Sequence, residues 1–130
     1  MYFSPAKTAF VAFASSQVTR HSARRAFTST TAVSATQFLL NYDYIPEVLE
    51  KRGPYREGHL KIATDFIAEG RCLSGGPTGP PDMEVPTGAL FIFTDLEAAK
   101  AMVANDPYVE NGIVTGHTIQ EWNVVVQKED

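Results

Sequence analysis

The first clear pattern along the chain is TQFLLNYDY, from Thr36 to Tyr44, an unbroken run of aromatic and branched side chains that predicts a strand ending at Pro46. PEVLEKR follows as a short helical turn, and Gly53-Pro54 opens a second helical segment with proline near its first position. In YREGHLKIATDFIAEG, Leu60, Ala63 and Ile67 fall on one stripe and Tyr55, His59, Ile62 and Phe66 on the adjoining one, with Gly70 as the stop. RCLSGGP reads as a short strand that breaks into TGPPDMEVPTG, and the four prolines from Pro77 to Pro86 deny this stretch regular structure. GALFIFT is apolar on both faces, as in a central strand. Thr94-Asp95-Leu96-Glu97 matches a capping box and predicts a helix ending near Asn105. IVTGHTIQEWNVVVQ completes the chain as a long last strand.

The order is therefore strand, helix, strand, strand, helix, strand. It predicts an α+β domain on the ferredoxin-like βαββαβ plan, an antiparallel sheet with two helices on one face. The other face of the sheet needs a cover, and the same face of a second copy supplies it, which predicts a homodimer.

Charge divides this picture in two. Residues 1–42 contain no Asp or Glu and carry Lys7, Arg20, Arg24 and Arg25. From Asp43 onward there are seven basic residues against fifteen acidic ones, a net charge of −8. The first segment is rich in Ser, Thr, Ala and Arg, and SSQVTRHSARRAF can form a basic-faced helix. These are the features of a mitochondrial transit peptide over residues 1–34, with a processing pattern at Arg25-Ala26-Phe27 followed by TSTTAVS. A basic tail with no address is the competing reading. The expected mature domain is 35–130, in the mitochondrial matrix. No window approaches 18 apolar residues, so no membrane-spanning segment is expected. The single Cys72 excludes an internal disulfide framework and reads as a small core residue. The acidic balance, with no basic stripe interleaved with aromatics, argues against nucleic acid as a partner.

Within VANDPYVENG, a carboxylate at Asp106 follows a helical pattern, where the macrodipole is negative, and precedes Pro107. An Asp that opens a turn and caps the following amides explains this locally. A second explanation comes from resemblance. Arg52, Arg56 and His59-Leu60 in EKRGPYREGHL, then EGRCLSGGP, GALFIF, Asp106-Pro107-Tyr108 and the Trp122 strand resemble the YCII-related (YciI-like) family of the dimeric α/β-barrel group. The resemblance covers Phe38 to Val126. It implies a His–Asp dyad at His59 and Asp106, with the carboxylate fixing the ring so that its other nitrogen faces a small-molecule ligand. Where many members of that family have proline and alanine between the arginine and the histidine, this chain has Glu57-Gly58.

Arg56, three residues before His59 on the same helix side, is a candidate for holding a ligand carboxylate or phenolate, with Arg52 as a second cation. The alternative for Arg56 is a surface pair with Glu57 or Asp65. Ser74 and Gly76, in the SGGP turn, are candidates for backbone approach by a ligand, or simple turn residues. After the leader only His59 and His117 remain, and no metal-ligand spacing, nucleotide fingerprint or serine-nucleophile elbow is present, so no cofactor is expected. Tyr108 and Trp122 read as core aromatics, and His117 as exposed. Two functions stay open: a cofactor-free lyase, isomerase or dehydrohalogenase acting on a small anionic cyclic compound, and a non-catalytic dimeric binding or assembly module. An open cleft at the His–Asp pair would favour the first, a closed core the second.

Overall fold

The computed structural model describes residues 30–129. Most of the segment read as a transit peptide, residues 1–29, therefore lies outside the described residues. Strand β1, Thr30–Tyr44, begins six residues before the predicted start at Thr36. Thr30, Thr31 and Val33 are β-branched and nothing in TTAVS breaks a strand, so extended backbone continues through it. Ser34–Val124 forms one compact unit. The described residues of the second are 30–33, the first of β1, and 125–129, the end of β4 with Glu129 after it.

After β1 come the short helix α1, Val48–Lys51, the long helix α2, Gly53–Ala68, and strands β2, Cys72–Thr78, and β3, Gly88–Phe93. Helices α3, Leu96–Asn105, and α4, Pro107–Glu110, lead into strand β4, Val114–Lys128. The four strands form one antiparallel sheet in the order β2-β3-β1-β4, the ferredoxin-like plan that the sequence order predicts.

Register puts the fully buried side chains of the central strands on one face. Phe38 faces Phe93, Leu40 faces Phe91 and Tyr42 faces Ala89 across the β1/β3 ladder. Leu40, Tyr42, Ala89, Phe91 and Phe93 are all buried, whereas Leu90 and Ile92, pointing the other way, are half-buried. The period of two thus selects the helix-covered face. On β2 a bulge between Cys72 and Ser74 shifts the register against β3.

Three local expectations change. The cap of α3 is Asp95 rather than Thr94: the Asp95 carboxylate accepts from Ala98 N at 2.8 Å. Arg71 fixes that carboxylate with Nε and Nη2 at 3.0 Å each. Thr94 is still tied to the sheet region, its amide donating to Arg71 O at 2.8 Å, so the helix starts one residue later and the capping box does not form. On α2 the predicted stripe is only partly buried, with Ala63 inside but Leu60 and Ile67 at 42% and 46% exposure. Trp122, read as core, is 41% exposed. Tyr108 and Cys72 are buried, and His117 is exposed.

The segment after α3 had no helical period, yet it forms the one-turn helix α4. Pro107 takes its first position, where a missing amide costs nothing. Gly112, at φ +77°, closes it: Ile113 N donates to Tyr108 O at 2.9 Å and Gly112 N to Val109 O at 3.4 Å, the two bonds of a Schellman ending. This turn buries Tyr108 and Ile113 against the core.

Candidate functional site

Asp106 is both the last cap of α3 and the first cap of α4, with extended backbone at φ −76° and ψ 122°. Its side chain is fully buried and collects three donors. Oδ1 accepts from Tyr108 N at 2.9 Å, as the turn reading requires. Tyr42 donates its hydroxyl to Oδ2 at 2.8 Å. The Nδ1 of His59 lies 2.9 Å from Oδ1 and 2.8 Å from Oδ2. A buried carboxylate requires such satisfaction, because each lost partner leaves a charge without compensation.

The same bonds fix the imidazole. A carboxylate offers only acceptors, so Nδ1 carries the proton and donates it, leaving Nε2 as the free position of the ring. Among the described residues Nε2 has no hydrogen-bond partner, and it is not among the fully buried unpartnered atoms. The ring lies flat on Tyr108, with centroids 3.8 Å apart and planes within 3°, and meets Phe91 edge-on at 5.7 Å.

Two glycines make room for this packing. A Cβ on Gly75 would overlap the Phe91 ring, so only glycine at that point of β2 lets Phe91 lie against the strand and abut His59. At Gly58 a Cβ would sit 3.1 Å from Pro107 Cγ, closer than ordinary packing. The Gly58 that departs from the family pattern is therefore where α2 receives the Asp106-Pro107 turn.

His59 forms part of the wall of an open cavity of about 380 Å³. Arg52, Arg56, Leu60, Ala63 and Ile67 reach it from the α2 region, Gly75, Gly76 and Pro77 from β2, and Ala89 and Phe91 from β3. Met83, Glu84 and Pro86 come from the proline-rich loop, and Leu49, Thr64, Tyr44 and Tyr108 complete it. This explains Leu60 and Ile67: their stripe faces the cavity instead of the core. His59, Arg52, Arg56 and Gly76 are thus brought together. Asp106 stands behind His59 and does not line the cavity. Ser74 does not line it either; it borders a shallower depression beside Leu90 and Ile92, the outward side chains of β3. Neither Arg52 nor Arg56 has a carboxylate partner among the described residues, and Asp65, a possible partner for Arg56, is taken by Lys61 at 2.9 Å.

Tyr42, Tyr44, Phe91 and Glu84 were not singled out from sequence. Tyr42 was within reach, since it alternates with Leu40 and so shares the inner face of β1. Burial, then the charge and hydrogen bond of Asp106, push the Tyr42 phenol far above its ordinary value. Burial likewise raises Tyr44, and the charges of Tyr108 and Asp106 add to it while Arg52 and Arg56 oppose it. Tyr108 is raised by burial and Asp106, again against Arg52 and Arg56. The tyrosines of the site are therefore neutral hydroxyl donors at ordinary pH. Among the described residues no three His, Cys, Asp or Glu side chains gather as a metal ion would need.

A ferredoxin-like sheet with a cleft beside a carboxylate-held histidine defines a class: a small α+β domain with a ligand-sized site between sheet and helix. Within that class, the YCII-related domain family model matches residues 36–123, and the chain belongs to that family. An uncharacterized protein of Haemophilus influenzae is 43% identical over 76 residues, 53% of this chain and 78% of the relative. Protein YciI of Escherichia coli is 40% identical over 72 residues, 50% of this chain and 74% of the relative. Among solved structures, 5-chloro-2-hydroxyhydroquinone dehydrochlorinase (TftG) from Burkholderia phenoliruptrix, in complex with 2,5-dihydroxybenzoquinone, matches in fold. Its TM-score is 0.54 at 24% identity, covering 66% of this chain and 92% of that one.

Proposed function

We propose that the chain is a cofactor-free enzyme of the lyase or isomerase type, acting on a small, anionic, hydroxylated ring compound. The observation that carries this reading is the His59 imidazole, pinned through Nδ1 by buried Asp106 while the ring walls an open cavity lined by two guanidinium groups that have no carboxylate partner among the described residues. In the reaction, Nε2 takes a proton from a ring hydroxyl or ring carbon. The electron pair then moves through the conjugated ring, either onto an oxygen, after which the imidazolium returns the proton to a different ring atom or oxygen and gives an isomer, or out with a departing halide, so that H⁺ and halide are lost together in an elimination. Asp106 stabilises the imidazolium that forms, and Arg52 and Arg56 neutralise the oxygen that gains charge. A solved fold relative is a dehydrochlorinase bound to a dihydroxybenzoquinone, which suggests the first compounds to try.

The test is chloride release from 5-chloro-2-hydroxyhydroquinone and related chlorinated hydroxyquinols. Release by the parent, lowered roughly 10²–10⁴-fold by His59→Gln, is expected for loss of a general base. Saturable binding without turnover across the series would leave only a binding module, and an equally active His59→Gln would remove the assigned role.

We also propose that the domain works as a homodimer joined through the outward sheet face. Leu39, Leu90 and Ile92 are half-buried there, and Leu73, at the bulge in β2, is 50% exposed. Light scattering of residues 30–130 is expected to give twice the chain mass, and a stable monomer would refute it. The acid-free N-terminal segment is proposed to direct the chain to mitochondria, which a fluorescent reporter carrying residues 1–34 would test.

A further inference from the structure

One fully buried polar atom of the site has no hydrogen-bond partner among the described residues. The Tyr108 hydroxyl is buried without any hydrogen bond, and it is the sole such side-chain atom among the described residues. Native structures rarely leave a buried hydroxyl in this condition, because burial strips its water and returns nothing. Its own segment explains the ring but not the hydroxyl: the ring stacks on His59 and meets Tyr44 edge-on at 5.9 Å, and both contacts would be made equally well by phenylalanine.

The surroundings indicate what the hydroxyl is for. Tyr108, Arg52, Arg56 and His59 all line the same cavity. Arg52 is half-buried and Arg56 exposed, and neither has a carboxylate partner among the described residues, so both are free to take an anion; a neutral hydroxyl donor beside them suits one whose charge is concentrated on a single oxygen. Leu60, Ile67, Met83 and Phe91 in the same lining are apolar and suit the body of a ring, while Thr64 and the Glu84 carboxylate are further polar side chains there.

We propose that Tyr108 is a ligand-binding residue, its hydroxyl forming with Arg52 and Arg56 a subsite for the phenolate or enolate oxygen of a single-ring compound, beside the Nε2 of His59. Burial keeps Tyr108 protonated, so it donates to the ligand oxygen instead of surrendering its proton to it. The inference rests on the cavity being the ligand site argued above, and it adds the ionised oxygen as the feature recognised.

The experiment reads binding, not turnover, so its outcome is separable from that of the chloride assay. 4-Nitrophenol reports its own ionisation by colour, and 4-nitroanisole is the same ring with the oxygen methylated. At a pH where free 4-nitrophenol is mostly protonated, adding the parent protein is expected to raise the phenolate band, with 4-nitroanisole bound more weakly. Tyr108→Phe is expected to weaken phenolate binding about tenfold, leave 4-nitroanisole binding unchanged, and melt no lower than the parent, since it removes an unpartnered group. Arg52→Gln with Arg56→Gln is expected to abolish the band. Equal phenolate binding by Tyr108→Phe overturns the proposal, as does a parent with no preference for the phenolate. A lowered melting temperature of Tyr108→Phe without ligand would mean that the hydroxyl has a structural partner, which overturns it too. Retention of the band in the double arginine variant has the same force.

Discussion

Asp106 unites two explanations that looked like rivals in the sequence. It caps the Tyr108 amide, and with the same carboxylate it holds Tyr42 and His59. Asp106→Asn separates these duties: the amide oxygen can still accept from Tyr108 N, but its NH₂ faces Nδ1 and favours the tautomer with the proton on Nε2. Nitrogen NMR of the imidazole is expected to show Nδ1–H in the parent and Nε2–H in the variant; an unchanged ring would mean that Asp106 does not set the tautomer. Asp106→Ala strands buried donors, each costing about 1–3 kcal/mol, and removes a cap worth ~1 kcal/mol, which urea unfolding would measure. Asp-Pro was legible as a turn and His59 as a partner by resemblance. The third party, Tyr42, was not, since a pairing 64 positions apart in the chain leaves no local trace.

β3 was legible from its unbroken apolar run and α2 from Gly53-Pro54 at its start and Gly70 at its end, although the Leu60–Ile67 stripe of α2 faces the cavity and not the core. Helix α4 has four residues, too few to display any period, and TTAVS reads equally as leader or strand. The start of α3 was misplaced by one residue because two good caps stand side by side and only the distant Arg71 chooses between them. Thr94→Ala is therefore expected to be nearly neutral, while Asp95→Ala costs about 0.5–2 kcal/mol in urea unfolding. The Arg71 hydrogen bond, opposed by slight desolvation, holds the Asp95 carboxyl below its ordinary range. Its contribution is thus present above that range and fades as the pH falls through the lowered value. On β2, Gly75→Val drives a side chain into the Phe91 ring and is expected to cost about 1–3 kcal/mol by overpacking. It should also disturb the His59 ring signals, whereas Gly76→Ala, with open space at its Cβ, should not.

For the molecule as a whole, the buried phenols set an alkaline limit. Tyr42 and Tyr44 have folded values raised from 10.0, so the unfolded chain loses these protons first. Their contribution is intact below pH 10 and declines as the pH rises above it. Tyrosinate absorbance is expected to show these two titrating only together with unfolding; early, reversible ionisation of all the tyrosines would contradict their burial. The sheet order has one more consequence. Strand β2 lies at an edge, and an edge strand is an invitation to further strand pairing and, in the end, to fibrils. Here that edge is irregular: a bulge near Cys72 bends its register, and Pro77, next to last in the strand, has no amide to donate. The Gly-Gly-Pro run that frames the cavity therefore also guards solubility, and Pro77→Val should give a protein that still folds but gathers into aggregates on standing.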